Sequence, residues 1–325
     1  MFRLCAFLIS CIIIRLRSLL EGGLGMKILL LGSKGMLGSE CEKVLSQEFE
    51  LIAPEKKDLD IVSWDRVIEK LQRVSPRIVL NCAAITDVDS CESHREAYMV
   101  RKINVEGPRN LAQGAARFNC KIIHISSEHV FSGQKAVPQP YFEDDPLDPI
   151  SMYGRSKMES EIAIKDNLSD HLIVRTGWLY GSQGENFVKS LVSDVVKKKG
   201  RKSLKIPNDH YGSPTWAHRL ALQIRELIRA DARGTYHATS EGVCSRIEYA
   251  QYIIEKLNLR VSLQPCLTSD LPQKARRPLN SILENRHLKK QGLSIMPDWR
   301  EDLSTFLEQF GEQLVREAKA GNSSG

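Results

Sequence analysis

The stretch KILLLGSKGMLG (27–38) joins a short apolar run to three evenly spaced glycines, and this junction decides the fold. The run from Lys27 to Gly32 predicts a buried strand, and the residues from about Met36 to Gln47 predict a helix. Glycines at a strand-to-helix turn permit positive φ and let the backbone approach a pyrophosphate, which then faces the free N–H groups of the helix. A merely tight turn is the alternative interpretation. The predicted dinucleotide contacts in this turn are Gly32, Gly35, Met36, Leu37 and Gly38.

Short apolar runs continue to alternate with amphipathic segments, which is typical of β-α units and a parallel sheet. Further strands are predicted at 50–53, 77–81, 121–126 and 171–176. Helices are predicted over 64–71 with Ser63 as the cap, from about Cys91 to Phe118, and from near Tyr153. The pattern predicts the α/β class, with a Rossmann-like, doubly wound parallel sheet at 26–176. Residues 177–317 are expected to form mainly a smaller C-terminal substrate-binding domain, with some segments returning to the sheet.

The length and composition are those of an ordinary globular protein. A chain of 325 residues suggests about two domains, and 42% apolar with 26% charged residues exclude a disordered chain, a collagen-like repeat and a multi-span membrane protein. The net charge of +6 is scattered, and a basic run at 197–202 is interpreted as a solvated helix end rather than a nucleic-acid surface. Eight cysteines are too few for a disulfide scaffold, which indicates a reducing, cytoplasmic compartment. Only Cys91 and His94 stand at a metal-ligand spacing, so no metal site is predicted.

The first 25 residues do not fit this picture. The apolar run from Leu4 to Ile14 is too short to span a membrane, which takes about 20 residues. Basic residues flank it as in a signal peptide, but no convincing cleavage site follows, and Met26 opens the predicted domain at once. We therefore expect 1–25 to be an extension outside the fold, such as a misassigned start, rather than an export signal. The polar tail 318–325 is expected to be flexible.

Residues after the second and third strands complete the predicted dinucleotide site. An acidic residue about 20 positions past the turn commonly binds the adenosine ribose, and Glu55 stands near that distance and favours NAD. Its neighbour Lys56 favours a 2′-phosphate instead, so the choice between NADH and NADPH stays open. A solvated loop is the alternative for both. The further predicted cofactor contacts are Asp60 and Ile61 along the adenine, and Ala83 and Ala84 at the end of the third strand.

The reaction is indicated by Tyr153 and Lys157, which stand four residues apart and so share one helix face at about 6 Å. The pKa of a free phenol lies near 10, and a neighbouring ammonium is expected to lower it by about 1–3 units, toward the range of acid–base catalysis. The same ammonium can hold the ribose hydroxyls of a nicotinamide nucleotide. A packed helix face is the alternative, but the pair follows a glycine-rich turn and a strand that ends in Ser126 and Ser127.

Together these motifs resemble the extended short-chain dehydrogenase/reductase family over about 26–315. Finer matches resemble its dTDP-4-dehydrorhamnose reductase branch. They are Thr86-x-Val88-Asp89 with Glu92, Ser126-Ser127-Glu128-His129-Val130-Phe131, Arg175-Thr176-x-Trp178-x-Tyr180-Gly181, Asn208-Asp209-His210-Tyr211-Gly212-Ser213-Pro214-Thr215 and Arg277-Pro278-x-Asn280-Ser281. The resemblance implies hydride transfer from NADPH or NADH to C4 of a 4-keto-6-deoxy sugar on a nucleoside diphosphate, as in the reduction of dTDP-4-dehydrorhamnose to dTDP-rhamnose.

The resemblance also implies a role for each site residue. Tyr153 donates the proton to the nascent alkoxide, Lys157 tunes Tyr153 and holds the cofactor, and Ser127 polarises the carbonyl. Trp178 flanks the sugar, while Arg277, whose planar fork suits phosphate oxygens, and Asn280 hold the nucleotide. The implied substrate contacts are Ser127, Glu128, Tyr153, Trp178, His210, Arg277 and Asn280. Glu40 matches a glutamate linked to Mg²⁺ in some members, but it is interpreted as a solvated helix residue, and the sequence does not support Mg²⁺.

Several positions depart from the family's pattern. Ser127 replaces a Thr and keeps the hydroxyl, Glu128-His129 replaces Asp-Tyr, and His210 replaces a Gln, which leaves the chemistry intact and the exact sugar open. Two alternatives also stay open: a nucleotide-sugar dehydratase or epimerase with tightly bound NAD, and a non-catalytic regulatory subunit of the methionine adenosyltransferase type. The expected partners are a nucleotide-sugar substrate and, by resemblance, a second copy in a homodimer, with no nucleic acid and no membrane.

Overall fold

The computed structural model describes residues 25–197, 203–272 and 274–320. The described strands are β1 (Lys27–Leu31), β2 (Glu50–Ile52), β3 (Ile78–Asn81), β4 (Lys121–Ser127), β5 (His171–Thr176), β6 (Leu179–Tyr180), β7 (Ser203–Pro207), β8 (Tyr211–Gly212), β9 (Thr215–Trp216), β10 (Gly234–His237), β11 (Cys244–Ser245) and β12 (Ser262–Cys266). The described α-helices are α1 (Met36–Leu45), α2 (Trp64–Val74), α3 (Val88–Cys91), α4 (His94–Arg101), α5 (Gly107–Arg117), α6 (Met152–Asn167), α7 (Phe187–Lys197), α8 (Ala217–Arg229), α9 (Arg246–Lys256), α10 (Arg286–Lys290) and α11 (Trp299–Ala320).

A six-stranded parallel sheet forms the centre of the fold, in the order β2-β1-β3-β4-β5-β10. The strand order reverses between β1 and β3, and ligands of doubly wound sheets bind at the carboxyl ends of the strands beside such a switch point. The predicted α/β class with a Rossmann-like sheet is confirmed. β10 comes from the C-terminal half of the chain and pairs with β5, so a late segment does return to the sheet.

Helices cover both faces of this sheet, which is why β1 and β3 carry continuous apolar runs at 28–31 and 78–80 rather than an alternating pattern. On one face α1 packs against α8, with Val44 and Ile224 in the shared core. On the other face α2 packs against α5, and Val67 and Leu111 are fully buried there. A separate core, built largely on Tyr180, Trp216, Tyr249, Trp299 and Phe306, joins α7, α9 and α11 in the C-terminal part.

The start of the helix predicted from about Cys91 to Phe118 is wrong, because α3 ends at Cys91 and α4 begins at His94. From His94 to Arg117 the predicted helix is confirmed, and a π-helical turn (Lys102–Glu106) joins α4 to α5 without a break. Such turns are often found at functional sites. Here the turn buries Asn104, whose amide bonds the backbone N–H and C=O of Ile85 (2.8 and 2.9 Å) and the hydroxyl of Ser156 (3.1 Å). Asn104 therefore ties the loop after β3 to α6. Ser63 does precede α2, but its side chain makes no capping bond.

Several predictions concern residues that lie outside this description. They are the extension up to residue 24, the basic run at 198–202, the tail at 321–325 and the side chain of His94. No described helix combines the length and the apolar content that a membrane crossing requires.

Candidate active site

Two adjoining cavities open at the carboxyl edge of the sheet. The turn cavity, about 590 Å³, is lined by the predicted cofactor residues Gly32, Gly35, Glu55, Lys56, Asp60, Ile61, Ala83 and Ala84. The Tyr153 cavity, about 430 Å³, is lined by Gly35, Met36, Leu37, Gly38, Ala84, Tyr153 and Lys157, together with Ser127, Glu128, Trp178, His210 and Arg277. The two cavities share Gly35, Cys82 and Ala84, so they form one crevice. Every predicted cofactor residue lines this crevice.

The glycine-rich turn fits a dinucleotide pyrophosphate. Gly32 has φ of 77°, and a Cβ there would come within 2.9 Å of the backbone of Cys82 and Ala83. A Cβ on Gly38 would overlap the carbonyl oxygen of Gly32, so only glycine lets α1 start this close to β1. The first-turn N–H groups of α1 have no intrahelical acceptor and are available to phosphate oxygens.

The acidic and basic residues after β2 are not equivalent. Glu55 and Lys56 both line the turn cavity, but the carboxylate of Glu55 is paired with Lys57 (3.3 Å). All three side chains are exposed, so this pair is weak. It nevertheless offsets the negative charge of Glu55, while Lys56 adds a positive charge to the same cavity wall.

Tyr153 lies at the start of α6. The Ser151 side chain caps this helix by accepting a hydrogen bond from the N–H of Gly154 (3.1 Å). The Tyr153 ring is buried and meets the ring of His129 edge-on, with 5.4 Å between centroids. Burial raises the pKa of Tyr153, the nearby Glu128 carboxylate raises it further, and contact with Ser127 offsets only part of the rise. The expected lowering of the Tyr153 pKa by Lys157 is therefore wrong, and the phenol is held protonated.

Lys157 lies one turn farther along α6, where its Nζ is 3.3 Å from Nε2 of His124 in β4. The tautomer of His124 follows from its neighbours. Asn81 Oδ1 accepts from the N–H of Ala83 (3.1 Å), so Asn81 Nδ2 donates to His124 Nδ1 (3.1 Å). Burial lowers the pKa of His124 well below its ordinary value, so the neutral ring carries its proton on Nε2. That proton faces Ser160 Oγ (2.9 Å), whose own proton goes to the carbonyl of Lys157 (2.6 Å).

This tautomer means that His124 cannot accept a hydrogen bond from the Lys157 ammonium. The nearest carboxylate along the helix, Glu161, is engaged by Arg175 (2.8 and 2.7 Å) and by Ser126 (2.6 Å). Burial lowers the pKa of Lys157 to about 8, and the charge of Glu161 opposes that shift only in part. The Lys157 side chain lines the Tyr153 cavity, where it could donate to ligand hydroxyls, and the ribose contact that the resemblance implies stays a prediction.

Ser127 and Glu128 lie where β4 ends and a 3₁₀ turn (Glu128–Val130) begins. Ser127 Oγ donates to Glu128 Oε2 (2.6 Å) and accepts from the N–H of His129 (3.2 Å). Gly177 leaves room for this carboxylate, because a Cβ there would come 2.8 Å from Glu128 Cδ. A hydroxyl has one proton to donate. A substrate carbonyl polarised by Ser127 must therefore compete with Glu128 for the one hydrogen bond that this hydroxyl can donate.

Trp178 lies in the link between β5 and β6 and forms another part of the wall of the Tyr153 cavity. Its φ of 47° lies in the left-handed region, which is rare for a bulky side chain and is often found at ligand sites. The ring packs on Gly212, where a Cβ would come 2.5 Å from Trp178 Cε2, and it meets His210 edge-on with 5.0 Å between centroids. Two of the motifs that carried the resemblance therefore meet at Trp178.

Arg277 and Asn280 behave differently although they share one motif. Arg277 lines the Tyr153 cavity and forks onto Asp89, at 3.1 Å (Oδ1) and 2.8 Å (Oδ2). Asn280 is 1% exposed; its Nδ2 donates to the carbonyls of Lys135 (3.1 Å) and Gln139 (2.8 Å). It is not among the residues that line either cavity. The structure thus corrects the expectation of a nucleotide contact at Asn280, because both of its donors hold a loop.

The sequence and the fold are both similar to those of known proteins. Residues 26–312 match the family described as RmlD substrate binding domain. This chain belongs to that family. The spore coat polysaccharide biosynthesis protein SpsK of Bacillus subtilis is 35% identical to it over 285 residues, which cover 87% of this chain and 97% of that protein. A dTDP-4-dehydrorhamnose reductase of Burkholderia thailandensis is 34% identical over 292 residues, which cover 85% and 96%.

A solved RmlD relative shows the same fold. The crystal structure of dTDP-4-dehydrorhamnose reductase from Bacillus anthracis, in complex with NADP, has a TM-score of 0.83 and 34% identity, and it covers 88% of this chain and 100% of that one. The resemblance inferred from the motifs is confirmed. The chain is a NAD(P)H-dependent oxidoreductase of the dTDP-4-dehydrorhamnose reductase type.

Some residues that line the Tyr153 cavity were not predicted from the sequence. Arg246, at the start of α9, and Phe187, at the start of α7, line the Tyr153 cavity, but neither belongs to a matched motif and no local pattern marks them. His124 did leave a sign: it is a polar residue inside the otherwise apolar run IIHI (122–125). Buried polar residues are normally hydrogen-bonded, so such a position predicts a polar network.

Glu40 requires a further correction. It was interpreted as solvated, but it is 7% exposed and bonds His218 Nδ1 (3.0 Å) in α8 and Lys43 Nζ (2.8 Å). The hydrogen bond with His218 is the main reason that the pKa of Glu40 is lowered. Glu40 therefore joins α1 to α8. Within 25–197, 203–272 and 274–320, no group of three or more His, Cys, Asp and Glu side chains could hold a metal ion.

Proposed function

We propose that this protein reduces the 4-keto group of a nucleotide-activated 4-keto-6-deoxy sugar, with dTDP-4-dehydrorhamnose as substrate and dTDP-rhamnose as product. One observation carries the proposal: a buried, protonated Tyr153 shares a cavity with Ser127 and Lys157, and that cavity is continuous with the glycine-rich turn. The named activity of the Burkholderia relative supports the same substrate.

In this reaction the bound nicotinamide supplies the hydride that adds to C4 of the sugar. Tyr153 gives its phenolic proton to the oxygen that becomes the hydroxyl; the raised pKa keeps that proton available over the neutral range. Ser127 donates a hydrogen bond to the same oxygen and gives up its bond to Glu128. Lys157 holds the ribose of the cofactor, and the Glu128 carboxylate beside Tyr153 favours return of a proton to the phenolate after each turnover.

NADPH is the cofactor that the site favours. The charge of Glu55 is offset by Lys57, whereas Lys56 lines the turn cavity where a 2′-phosphate would need a cation. The NADP complex of the Bacillus anthracis relative supports this choice. We also propose that the enzyme works in the cytoplasm, because the described cysteines are free thiols. A homodimer would cover Tyr98 of α4 and Ile162 of α6, which are 66% and 46% exposed.

The test is turnover of dTDP-4-dehydrorhamnose with NADPH or NADH, followed by cofactor absorbance. We expect stoichiometric NADPH oxidation. Tyr153→Phe should lower kcat by about 10²–10⁴-fold without changing the Kd for NADPH. The control Tyr252→Phe removes a hydroxyl that bonds Ser304 (2.7 Å) outside the cavity and should keep full activity.

Other outcomes separate the alternatives. Permanently bound NAD with no net oxidation of added NADPH would favour a dehydratase or epimerase. NADPH binding without turnover of any 4-keto nucleotide sugar would favour a regulatory subunit, and full activity of Tyr153→Phe would refute the mechanism.

A further inference from the structure

Arg246 places a guanidinium in the wall of the Tyr153 cavity without an acidic partner. It is the first residue of α9, after the capping Ser245, and its Cζ lies 3.5 Å from the ring centroid of Trp178 and 4.7 Å from that of Phe187. Within the described part of the chain, its side chain makes no ion pair and no hydrogen bond. A face-stacked guanidinium keeps its N–H donors at the edge of the plane, where they can still bind a ligand.

The other inward-facing arginines have carboxylate partners. Arg175 is held by Glu161, Arg219 by Asp302 (3.0 Å) and Arg277 by Asp89. Removing a cation from water without a counter-charge is costly, which is why such pairing is the rule. Burial lowers the pKa of Arg246 to about 10, so the side chain still carries its charge at neutral pH. Arg246 therefore lacks the compensation that the fold provides elsewhere.

The Tyr153 cavity around Arg246 holds two neutral histidines and two carboxylates that do not pair with it. His210 and His129 line the same cavity, and burial lowers the pKa of both rings, which keeps them neutral near pH 7. Buried His129 Nδ1 also has no hydrogen-bond partner. Two carboxylates also line this cavity: Glu128, which follows β4 and already accepts a hydrogen bond from Ser127, and Glu185, which precedes α7. A ligand with negative oxygens would complete this set of donors.

We propose that Arg246 binds the diphosphate of the nucleotide-sugar substrate, across the face of Trp178, and so selects substrates that carry this group. The proposal rests on the proposed function, because it assigns a residue to the substrate of that reaction. A planar fork can give two parallel hydrogen bonds to phosphate oxygens, and Trp178 restricts its orientation. Arg246 is thus a specificity-determining residue that acts on the part of the substrate remote from the reacting carbon.

The experiment compares Arg246→Gln with a matched control in the full chain. Arg300 also stacks on a tryptophan at the start of a helix, with its Cζ 4.4 Å from the Trp299 ring, but it lies outside the cavity. Calorimetric titration with dTDP, with thymidine and with NADPH gives the three affinities for each variant. We expect Arg246→Gln to weaken dTDP binding by about 10–100-fold, and to leave NADPH and thymidine binding unchanged. Arg300→Gln should match the wild type throughout.

Three outcomes would overturn the assignment. In the first, Arg246→Gln binds dTDP as tightly as the wild type. In the second, it binds dTDP normally but has a raised KM for the sugar substrate, which would show that the guanidinium contacts the sugar rather than the diphosphate. In the third, the wild type turns over its substrate without measurable affinity for dTDP.

The control readouts separate this proposal from the proposed function and from misfolding. If the wild type turns over no 4-keto nucleotide sugar, the result counts against the proposed function. If Arg246→Gln loses affinity for dTDP alone, the result supports the role of Arg246. Arg246→Lys keeps the charge without the fork and should bind dTDP with intermediate affinity. That variant provides the test if Arg246→Gln does not fold.

Discussion

Lys157→Met should make the protein more stable while it abolishes activity. Lys157 is 2% exposed and holds its charge in a region where His124 turns a donor toward it and Glu161 is already bound by Arg175. Such a charge opposes folding, because the ammonium loses its hydration without an equivalent partner. Met has a similar length and no charge, so the replacement removes this opposition and keeps the packing of α6.

The size of the effect follows from the pKa of Lys157. A fall from the ordinary 10.5 to about 8 corresponds to about 3 kcal/mol of lost stability at neutral pH. Because the folded protein holds this proton more weakly than the unfolded chain, wild-type stability rises with pH between about 8 and 10.5. Below that window the full cost is present, and above it the cost disappears. The advantage of Lys157→Met should therefore be largest near pH 7 and vanish above the window.

Thermal unfolding of both proteins near pH 7 and again above pH 10.5 measures this difference. With about 2 °C for each kcal/mol in a large domain, the variant should melt about 6 °C higher near pH 7. The control Lys319→Met changes an exposed lysine of α11 and should leave the melting temperature unchanged at either pH. An equal or lower melting temperature for Lys157→Met near pH 7, or a gain that persists above the window, would refute the reasoning.

Two further substitutions probe the substrate wall and the cofactor wall. Gly212→Ala puts a Cβ 2.5 Å from Trp178 Cε2, so the ring must move; we expect kcat/KM for the sugar to fall by about 100-fold with an unchanged Kd for NADPH. Both values come from steady-state and binding measurements, and a normal kcat/KM would contradict the role of Trp178. Lys56→Ala should raise the KM for NADPH by about tenfold and leave that for NADH unchanged, with a smaller effect at high salt. Equal changes for both cofactors would exclude contact with the 2′-phosphate.

The cofactor half of the site was predictable because its features are local in sequence. β1 is apolar from Ile28 to Leu31 because both of its faces are buried, and Gly32 and Gly38 are needed where one backbone passes against another. A strand, a turn and a helix start are then encoded within a dozen consecutive residues. Tyr153 and Lys157 are likewise placed by the period of a single helix. Patterns of this kind need no knowledge of the rest of the chain.

The substrate half depends on contacts between distant segments. Arg277 meets Asp89 across 188 positions and Glu40 meets His218 across 178, so neither partner could be named from a local pattern. For the same reason Asn280 was taken for a ligand contact although its donors hold the loop at Lys135. The π-helical turn between α4 and α5 has a similar cause, since Asn104 is fixed by bonds to Ile85 and Ser156 rather than by helical periodicity.

The raised pKa of Tyr153 also shows how the charged side chains around the site are distributed. Lys157 and Arg246 are cations that lack a carboxylate partner among the described residues, while Glu128 stands beside the phenol. Both cations oppose folding of the ligand-free protein, and on the proposed assignments both would gain a partner when a ribose and a diphosphate bind. Glu128 acts on the phenol instead. Its charge keeps the proton on Tyr153 until an alkoxide, which is a stronger base than the phenolate, forms nearby. On these assignments the ligand gains its new partners at Lys157 and Arg246, while the phenol between them keeps its proton for transfer.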